Sequence, residues 1–381
     1  MRKVAIIGIG AVKAGATSKE LSYKEMTYAA AKLAYHDAGV DPSKLQSFVT
    51  LAEDMNEGTS IFDEYTPDQL GAAQKPMHTL CHDGLVGVAD AAMQIASGLF
   101  DIVVVEAHSK ASNIKNKACV EAYALDPNWV RPLGIPAQAL AALEAAYYIR
   151  ETGASGEALY EIVRKNKGNA RLNPFAAYPK NTTFKDYQRS PSRYTPLRDI
   201  EIARHADGVC VLVLACENYA KSNGSVPIWV EGFGWATETS SVESRNWTQA
   251  AYASISAKRA YRMAGVSDPR LDIHIFEVDD TYAFKELQHL EALGIFEKGD
   301  AWKKTLEGET SPKGAKPVNV SGGCLGLGET LETKGLYQIY ELVTQLRVKA
   351  GKRQVANARR GLAFAWRGVP TTSGACVILG N

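Results

Sequence analysis

Ala31-Lys32-Leu33-Ala34-Tyr35-His36-Asp37-Ala38-Gly39-Val40 recurs as Ala257-Lys258-Arg259-Ala260-Tyr261-Arg262-Met263-Ala264-Gly265-Val266, with seven of ten positions identical. Each copy reads as the end of a helix closed by a glycine in the left-handed conformation. The flanks recur as well. A glycine-bearing apolar strand precedes each copy, Val4 to Gly10 and Ile228 to Gly234, and an Asp/Pro turn follows. After the turn comes an apolar strand, Ser47-Phe48-Val49 in one case and His274-Ile275-Phe276-Glu277-Val278 in the other. One strand–helix–strand unit therefore appears twice, dividing the chain into residues 1–224 and 225–381. Between the copies, Leu85 to Ser97 has helical periodicity, while Asp101 to Val105 and Asp207 to Leu214 are continuous apolar runs. Runs apolar on both faces, separated by helices, predict sheets buried between helices in an α/β layered fold.

The segment from about Ser112 to Arg198 breaks this pattern. It holds an Ala-rich helix (Ile135 to Arg150), a second helix (Gly156 to Asn169) and a stretch rich in Pro, Tyr, Lys and Arg from Asn173 to Pro196. An insertion of that length without strand signals reads as a loop domain, about 112–198, that covers a site rather than building the core.

Composition excludes several function classes. The 381 residues carry 43 Lys+Arg against 42 Asp+Glu, a net charge of +1. That balance leaves no electrostatic footprint for nucleic acid, and no basic run addresses an anionic membrane. Val4 to Gly10 is too short and too glycine-punctuated for a signal peptide or a membrane span, which needs about 20 apolar residues. The six cysteines, Cys81, Cys119, Cys210, Cys216, Cys324 and Cys376, form no CxxC pair and no Cys/His cluster at zinc spacing. The expectation is a reducing cytoplasm and no metal in this chain.

The sharpest local motif is Thr79-Leu80-Cys81-His82-Asp83-Gly84, immediately before the helix of residues 85–97. A cysteine at the entry to a helix has its thiolate favoured by the helix N-terminus, which makes it nucleophilic. Backbone N–H groups of the same turn can receive a developing oxyanion. A small buried residue at a helix start fits the local pattern equally well.

Over essentially its whole length the chain resembles the thiolase superfamily, most closely the sterol-carrier-protein-type and archaeal members. The resemblance rests on Val4 to Gly10, Cys81-His82-Asp83-Gly84 with Asp101, Ala206-Asp207-Gly208-Val209, Asn319-Val320-Ser321-Gly322-Gly323, and the ending Gly361-Leu362-Ala363 through Gly374 to Gly380. It implies two duplicated halves in a layered α-β-α-β-α core, an acyl-CoA substrate with coenzyme A as co-substrate, a homodimer, and a small zinc-ribbon/OB-fold partner subunit. It places Cys81 on the acylated nucleophile, Gly84, Asn319, Gly368 and Tyr282 around the oxyanion and acyl pocket, and Lys180, Arg189 and Arg193 where the loop domain meets the nucleotide phosphates.

The chain also departs from the family. The histidine that follows Asn-x-x-Gly-Gly in the family is here replaced within Gly328-Glu329-Thr330, and His289 is the last histidine of the chain. The pocket-lining His-Asp-x-Phe is Asp279-Asp280-Thr281-Tyr282. No second cysteine stands in Trp366 to Ser373; Cys376 reads as core. A glutamate in an apolar pocket has its pKa raised by desolvation and can exchange protons near neutrality, so Glu329 is the first candidate to replace the histidine, followed by Asp279 and Asp280. The bland readings are that Asp280 orients a loop by accepting backbone N–H bonds and that Glu329 caps a helix. His82 either polarises a thioester carbonyl or packs against a second subunit. Cys324 reads as small-residue packing.

The reading this supports is a thiolase cleaving a β-keto acyl-CoA through an acyl-Cys81 intermediate. The lost histidines point away from plain acetoacetyl-CoA toward an aryl or dicarboxylic acyl group, in the style of the thiolase subunit that cleaves 2-benzoylsuccinyl-CoA. The rival is a thiolase-like retro-aldolase, which the chain resembles in Asn-x-x-Gly-Gly-x-Leu-Gly and Gly368-Val369-Pro370-Thr371 and which would rely on Tyr282 or Tyr337. A third is a silent thiolase-fold scaffold subunit.

Overall fold

A computed structural model describes residues 2–53, 61–239, 241–368 and 372–381; Val369, Pro370 and Thr371 of the Gly-Val-Pro-Thr ending lie outside the described residues. Nine strands follow one another as β1 (Val4–Ala11), β2 (Ser47–Leu51), β3 (Met77–Leu80), β4 (Ile102–Ser109), β5 (Gly208–Cys216), β6 (Ile228–Thr237), β7 (Ile275–Val278), β8 (Arg360–Arg367) and β9 (Ser373–Gly380). Their spatial order is β3-β2-β4-β5-β1-β6-β9-β8-β7. In the first half β1 pairs antiparallel with β5, β5 antiparallel with β4, and β4 parallel with β2. In the second half β6, β9, β8 and β7 repeat those three relationships in the same sequence. Among the described residues the two sets pair where Ala5 and Ile6 face Trp229 and Ile228.

The longer helices are α1 (Tyr23–Ala38), α2 (Gly84–Ser97), α3 (Ala137–Thr152), α4 (Gly156–Asn169), α5 (Ala251–Ala264), α6 (Ala283–Ala292) and α7 (Lys334–Leu346). The repeated decapeptide closes α1 and α5 identically. Gly39 and Gly265 sit at φ 62° and 65°, and the N–H groups of Val40 and Val266 donate back to the carbonyls of Tyr35 and Tyr261. Even the tyrosines match, their hydroxyls donating to the carbonyls of Leu70 and Leu293 at 2.7 Å. Each helix also lies almost on its strand. A Cβ on Gly8 would stand 2.3 Å from the Ala34 carbonyl oxygen, and one on Gly232 would stand 2.3 Å from that of Ala260. No side chain fits at either position.

Helices α2 and α7 occupy the layer between the two sets of strands. Leu85, Val88 and Ile95 of α2 and Leu336, Ile339 and Val343 of α7 share one buried cluster with Val105, Leu212, Val377 and Leu379. A second cluster packs α1 against β2, β4 and β5. The third departs from expectation. Leu140, Tyr148, Ile162 and Val163, from the inserted α3 and α4, are buried together with Phe276, Phe284 and Phe364. The insertion therefore builds core as well as covering it, because α3 and α4 each bury an apolar face in this cluster. Cys376 is fully buried in β9, as read from its place in the strand. Among the described residues no helix is long and apolar enough to cross a membrane.

Candidate active site

Two segments from opposite halves make the site. Residues 204–206, leading into β5, run beside residues 328–330, which lead into α7. The Glu329 N–H donates to the Arg204 carbonyl at 2.8 Å, and the Ala206 N–H donates to the Glu329 carbonyl at 2.9 Å. This short parallel bridge sets His205 next to Glu329. Their side chains open on a cavity of about 100 Å³ that is also lined by Lys117, Tyr282, Lys334, Trp366 and Gly368.

Within it, His205 Nδ1 stands 2.5 Å from a Glu329 oxygen, and Lys117 Nζ stands 2.7 Å from His205 Nε2. Lys117 Nζ also lies 3.1 Å from Nδ1 and 3.5 Å from Glu329, so the ammonium rests across the ring rather than along the Nε2 lone pair. Lys334 Nζ forms an ion pair with Asp279 at 2.8 Å and lies 3.9 Å from Glu329. Glu329 is 6% exposed, and burial pushes its pKa up. The charges of Lys117, His205 and Lys334 outweigh that effect and hold the carboxyl well below its ordinary range. This corrects the expectation of a glutamate raised toward neutrality: the pocket is dry but cationic, and the nearby charges win. Glu329 is an anchored anion, and it caps no helix.

Asp279 and Asp280 diverge although adjacent. Burial raises Asp279, but Lys334, followed by His289 and the Thr281 N–H, more than reverses the shift, and its carboxylate also accepts the Trp366 N–H group. Behind it, Lys285 Nζ donates to Tyr252, the Tyr252 hydroxyl faces His289 Nε2 at 3.0 Å, and His289 Nδ1 donates to the Asp279 carbonyl. Asp280 accepts the N–H groups of Cys324 and Leu325 and the Asn166 amide. It orients the loop opening the short helix Gly323–Leu327, and burial pushes it up to about 7. Cys324 is buried beside it.

Cys81 stands in the turn between β3 and α2. It is exposed, and its carbonyl accepts from the Arg367 guanidinium at 2.6 Å. It does not line the 100 Å³ cavity, but Arg367 immediately precedes Gly368, which does. Two residues on from Cys81, Asp83 accepts the N–H of Leu85 at 2.8 Å and that of Gly335 at 3.3 Å, so one carboxylate serves the N-termini of both α2 and α7. Gly84 permits that meeting, since a Cβ there would stand 2.5 Å from Leu336. His82 Nδ1 accepts the Asp83 N–H, while its Nε2 is buried with no hydrogen-bond partner among the described residues, and burial lowers its pKa.

Other residues named from sequence fall elsewhere. The Asn319 amide is taken up between the Val278 N–H and Glu286, away from the cavity. The Tyr337 hydroxyl donates to the Val12 carbonyl at 2.5 Å in the central layer. Lys180, Arg189 and Arg193 are exposed and outside the cavity, with Arg193 paired to Asp199 at 3.0 Å. Sequence reading missed His205, Lys117 and Lys334. Two signals stood in the sequence: His205 directly precedes Ala206-Asp207-Gly208, and Lys334-Gly335-Leu336 repeats the pattern of Asp83-Gly84-Leu85 at the start of a helix.

Residues 234–381 match the family model described as thiolase C-terminal domain-like. An acetyl-CoA acetyltransferase of Methanothermobacter thermautotrophicus is 30% identical over 95% of both chains. Benzoylsuccinyl-CoA thiolase subunit BbsB of Thauera aromatica is 25% identical over 93% of this chain and 91% of its own. Among solved structures, the Ltp2-ChsH2(DUF35) aldolase aligns with a TM-score of 0.85 at 25% identity, covering 99% of this chain and 97% of that one. Human mitochondrial 3-ketoacyl-CoA thiolase aligns with a TM-score of 0.76 at 15% identity, over 100% and 99% of the two chains.

Proposed function

Since the chain belongs to the thiolase superfamily, we propose that it cleaves a β-keto acyl-CoA with coenzyme A through an acyl-Cys81 intermediate, with His205 as proton carrier and Glu329 as its orienting anion. The carrying observation is the Lys117–His205–Glu329 arrangement at a cavity lined by Gly368, whose neighbour Arg367 donates to the Cys81 carbonyl. It supplies an imidazole to a site whose usual histidine positions hold acids. In the first step the Cys81 thiol gives up its proton to His205 and the sulfur attacks the β-keto carbon. The bond between the α and β carbons breaks, its electron pair forms the enolate of the departing acyl-CoA, and that carbon takes the proton back. In the second step coenzyme A loses its thiol proton to the same imidazole and attacks the acyl thioester, releasing Cys81. Lys117 and Lys334 offer positive charge to the enolate oxygen. Likeness to BbsB favours an aryl or dicarboxylic acyl group.

A homodimer and a small DUF35-type partner subunit belong to this reading. The half-buried edge strand β3, which leads directly into Cys81, supports the first, and the likeness to an aldolase whose title joins Ltp2 to ChsH2(DUF35) supports the second. That likeness also favours a retro-aldolase as the second reading, with Tyr282 in the cavity and Cys81 off its lining. Coenzyme A-dependent loss of a β-keto acyl-CoA, followed with wild-type and Cys81→Ala protein, tests the choice. Thiolysis abolished by the substitution supports the proposal, and cleavage of a β-hydroxy acyl-CoA that survives it favours the aldolase.

A further inference from the structure

Trp366 of β8 is 1% exposed, and its indole Nε1 is buried with no hydrogen-bond partner among the described residues. An indole N–H can only donate. Buried donors are nearly always paired, so an orphan calls for a physical account. The ring belongs to a buried apolar cluster, yet it also forms a wall of the cavity of about 100 Å³ that holds His205 and Glu329. Among the described residues lining that cavity, Trp366 carries the one buried side-chain donor without an acceptor. Its neighbours hold the ring in place. Lys285 Nζ stands 4.3 Å above it, the Tyr252 ring stacks at 6.5 Å, and the Tyr282 and His289 rings meet it at steep angles of 66° and 60°. The Trp366 backbone N–H donates to the Asp279 carboxylate at 3.3 Å. A Cβ on Gly368 would stand 2.7 Å from the six-membered edge of the indole, so the glycine leaves room for the ring. The ammonium over the ring face draws π density from the indole, which makes the N–H a better donor.

We propose that Trp366 donates its indole N–H to the β-keto oxygen of an acyl-CoA held in this cavity, and so selects acyl groups that carry an oxygen at that carbon. The inference rests on the reading that an acyl-CoA occupies the cavity, and not on acyl transfer to Cys81. A neutral donor suits this oxygen, which is uncharged in the bound substrate and gains negative charge as a nucleophile attacks, so the bond strengthens through the step. Lys117 and Lys334 remain for the thioester oxygen. A saturated acyl chain leaves the N–H unpaired inside a closed complex, and that penalty discriminates against it.

Calorimetric binding to the full chain carrying Cys81→Ala, which prevents turnover, is the test. The ligands are benzoylacetyl-CoA against phenylpropanoyl-CoA and acetoacetyl-CoA against butyryl-CoA, two pairs whose members differ by the keto oxygen alone. Each is titrated into protein with Trp366 intact, with Trp366→Phe, and with Trp366→benzothienylalanine, a near-isostere that has sulfur in place of the N–H. With Trp366 intact, the keto member of a pair should bind roughly tenfold tighter or more. In both variants that ratio should fall to within about twofold, through lost affinity for the keto member, while the isostere leaves the saturated member unchanged. A ratio that survives in the isostere would overturn the proposal, as would equal losses for both members of a pair, which is what a packing role produces. Failure of all four ligands to bind any of the three proteins would sink the acyl-CoA reading and this inference with it, a result distinct from bound ligands that show no keto preference.

Discussion

His205 Nδ1 meets the Glu329 carboxylate at 2.5 Å across a bridge that joins the two halves of the chain. Neither residue belongs to a long helix or a sheet strand, so their meeting depends on the paired backbones of residues 204–206 and 328–330. Lys117 lies against both ring nitrogens, 2.7 Å from Nε2 and 3.1 Å from Nδ1. Glu329 can thus orient an imidazole suited to moving a proton.

His205→Gln and Glu329→Gln should each lower kcat/KM for thiolysis by roughly 10²–10⁴-fold, the range of a lost general acid–base group. Their double variant should lose little more than either single one, because groups acting as a unit are not additive. Steady-state kinetics on the three proteins checks this, and multiplicative losses would separate the two roles.

Asp83 supplies a pH signature. Burial, only partly offset by Lys334, raises its carboxyl to about 7 from a reference of 3.8. Between those values the native state keeps a proton that the unfolded chain has released, so this group's contribution to stability falls as pH climbs and levels off above about 7. Asp83→Asn keeps an N-cap and removes that loss. The variant should match wild type near pH 4 and gain stability toward pH 8, by at most roughly 4 kcal/mol. Denaturant unfolding across that range measures it; a gain that shrinks with rising pH would contradict the assignment.

Gly8 and Gly232 make the duplication testable. In either Gly→Ala variant the new methyl meets a helix carbonyl that cannot rotate away. Each should cost on the order of 1–3 kcal/mol, the usual range for overpacking, and the two costs should be similar. Urea midpoints of both variants are the measurement.

Lys285 is fully buried, 2.6 Å from Glu144 of α3 and 4.3 Å above the Trp366 ring. Lys285→Met alone should destabilise by about 3–5 kcal/mol, since it strands a buried carboxylate. Adding Glu144→Gln should recover part of that loss. If the double variant is weaker than the single one, the lysine's role lies in its bond to Tyr252.

Much of the fold was legible because it is carried by local signals. The repeated decapeptide, the glycines facing it and the buried apolar runs give the layered halves through period and sterics alone. Asp280 could be read as a loop-orienting carboxylate from its place between a strand and a helix. The site was less legible. His205 reaches Glu329 through a two-residue bridge that leaves no periodic trace, and Lys117 comes from the insertion. The sign of the Glu329 shift follows from cations on three distant segments. Asn319 looked like a pocket group, yet its amide is taken up by Val278 and Glu286. The insertion was read as a cover because it lacks strands, while Tyr148 and Ile162 bury as deeply as the sheet residues.

The central claim is that Cys81 carries the acyl group while His205 and Glu329 move the proton. Intact-protein and peptide mass spectrometry after mixing the full chain with a panel of β-keto acyl-CoAs tests it most directly. The account predicts a thioester adduct on Cys81 that coenzyme A releases in wild type, and that both forms and is released far more slowly in His205→Gln. Cleavage products formed with no adduct on Cys81 at any time would contradict it.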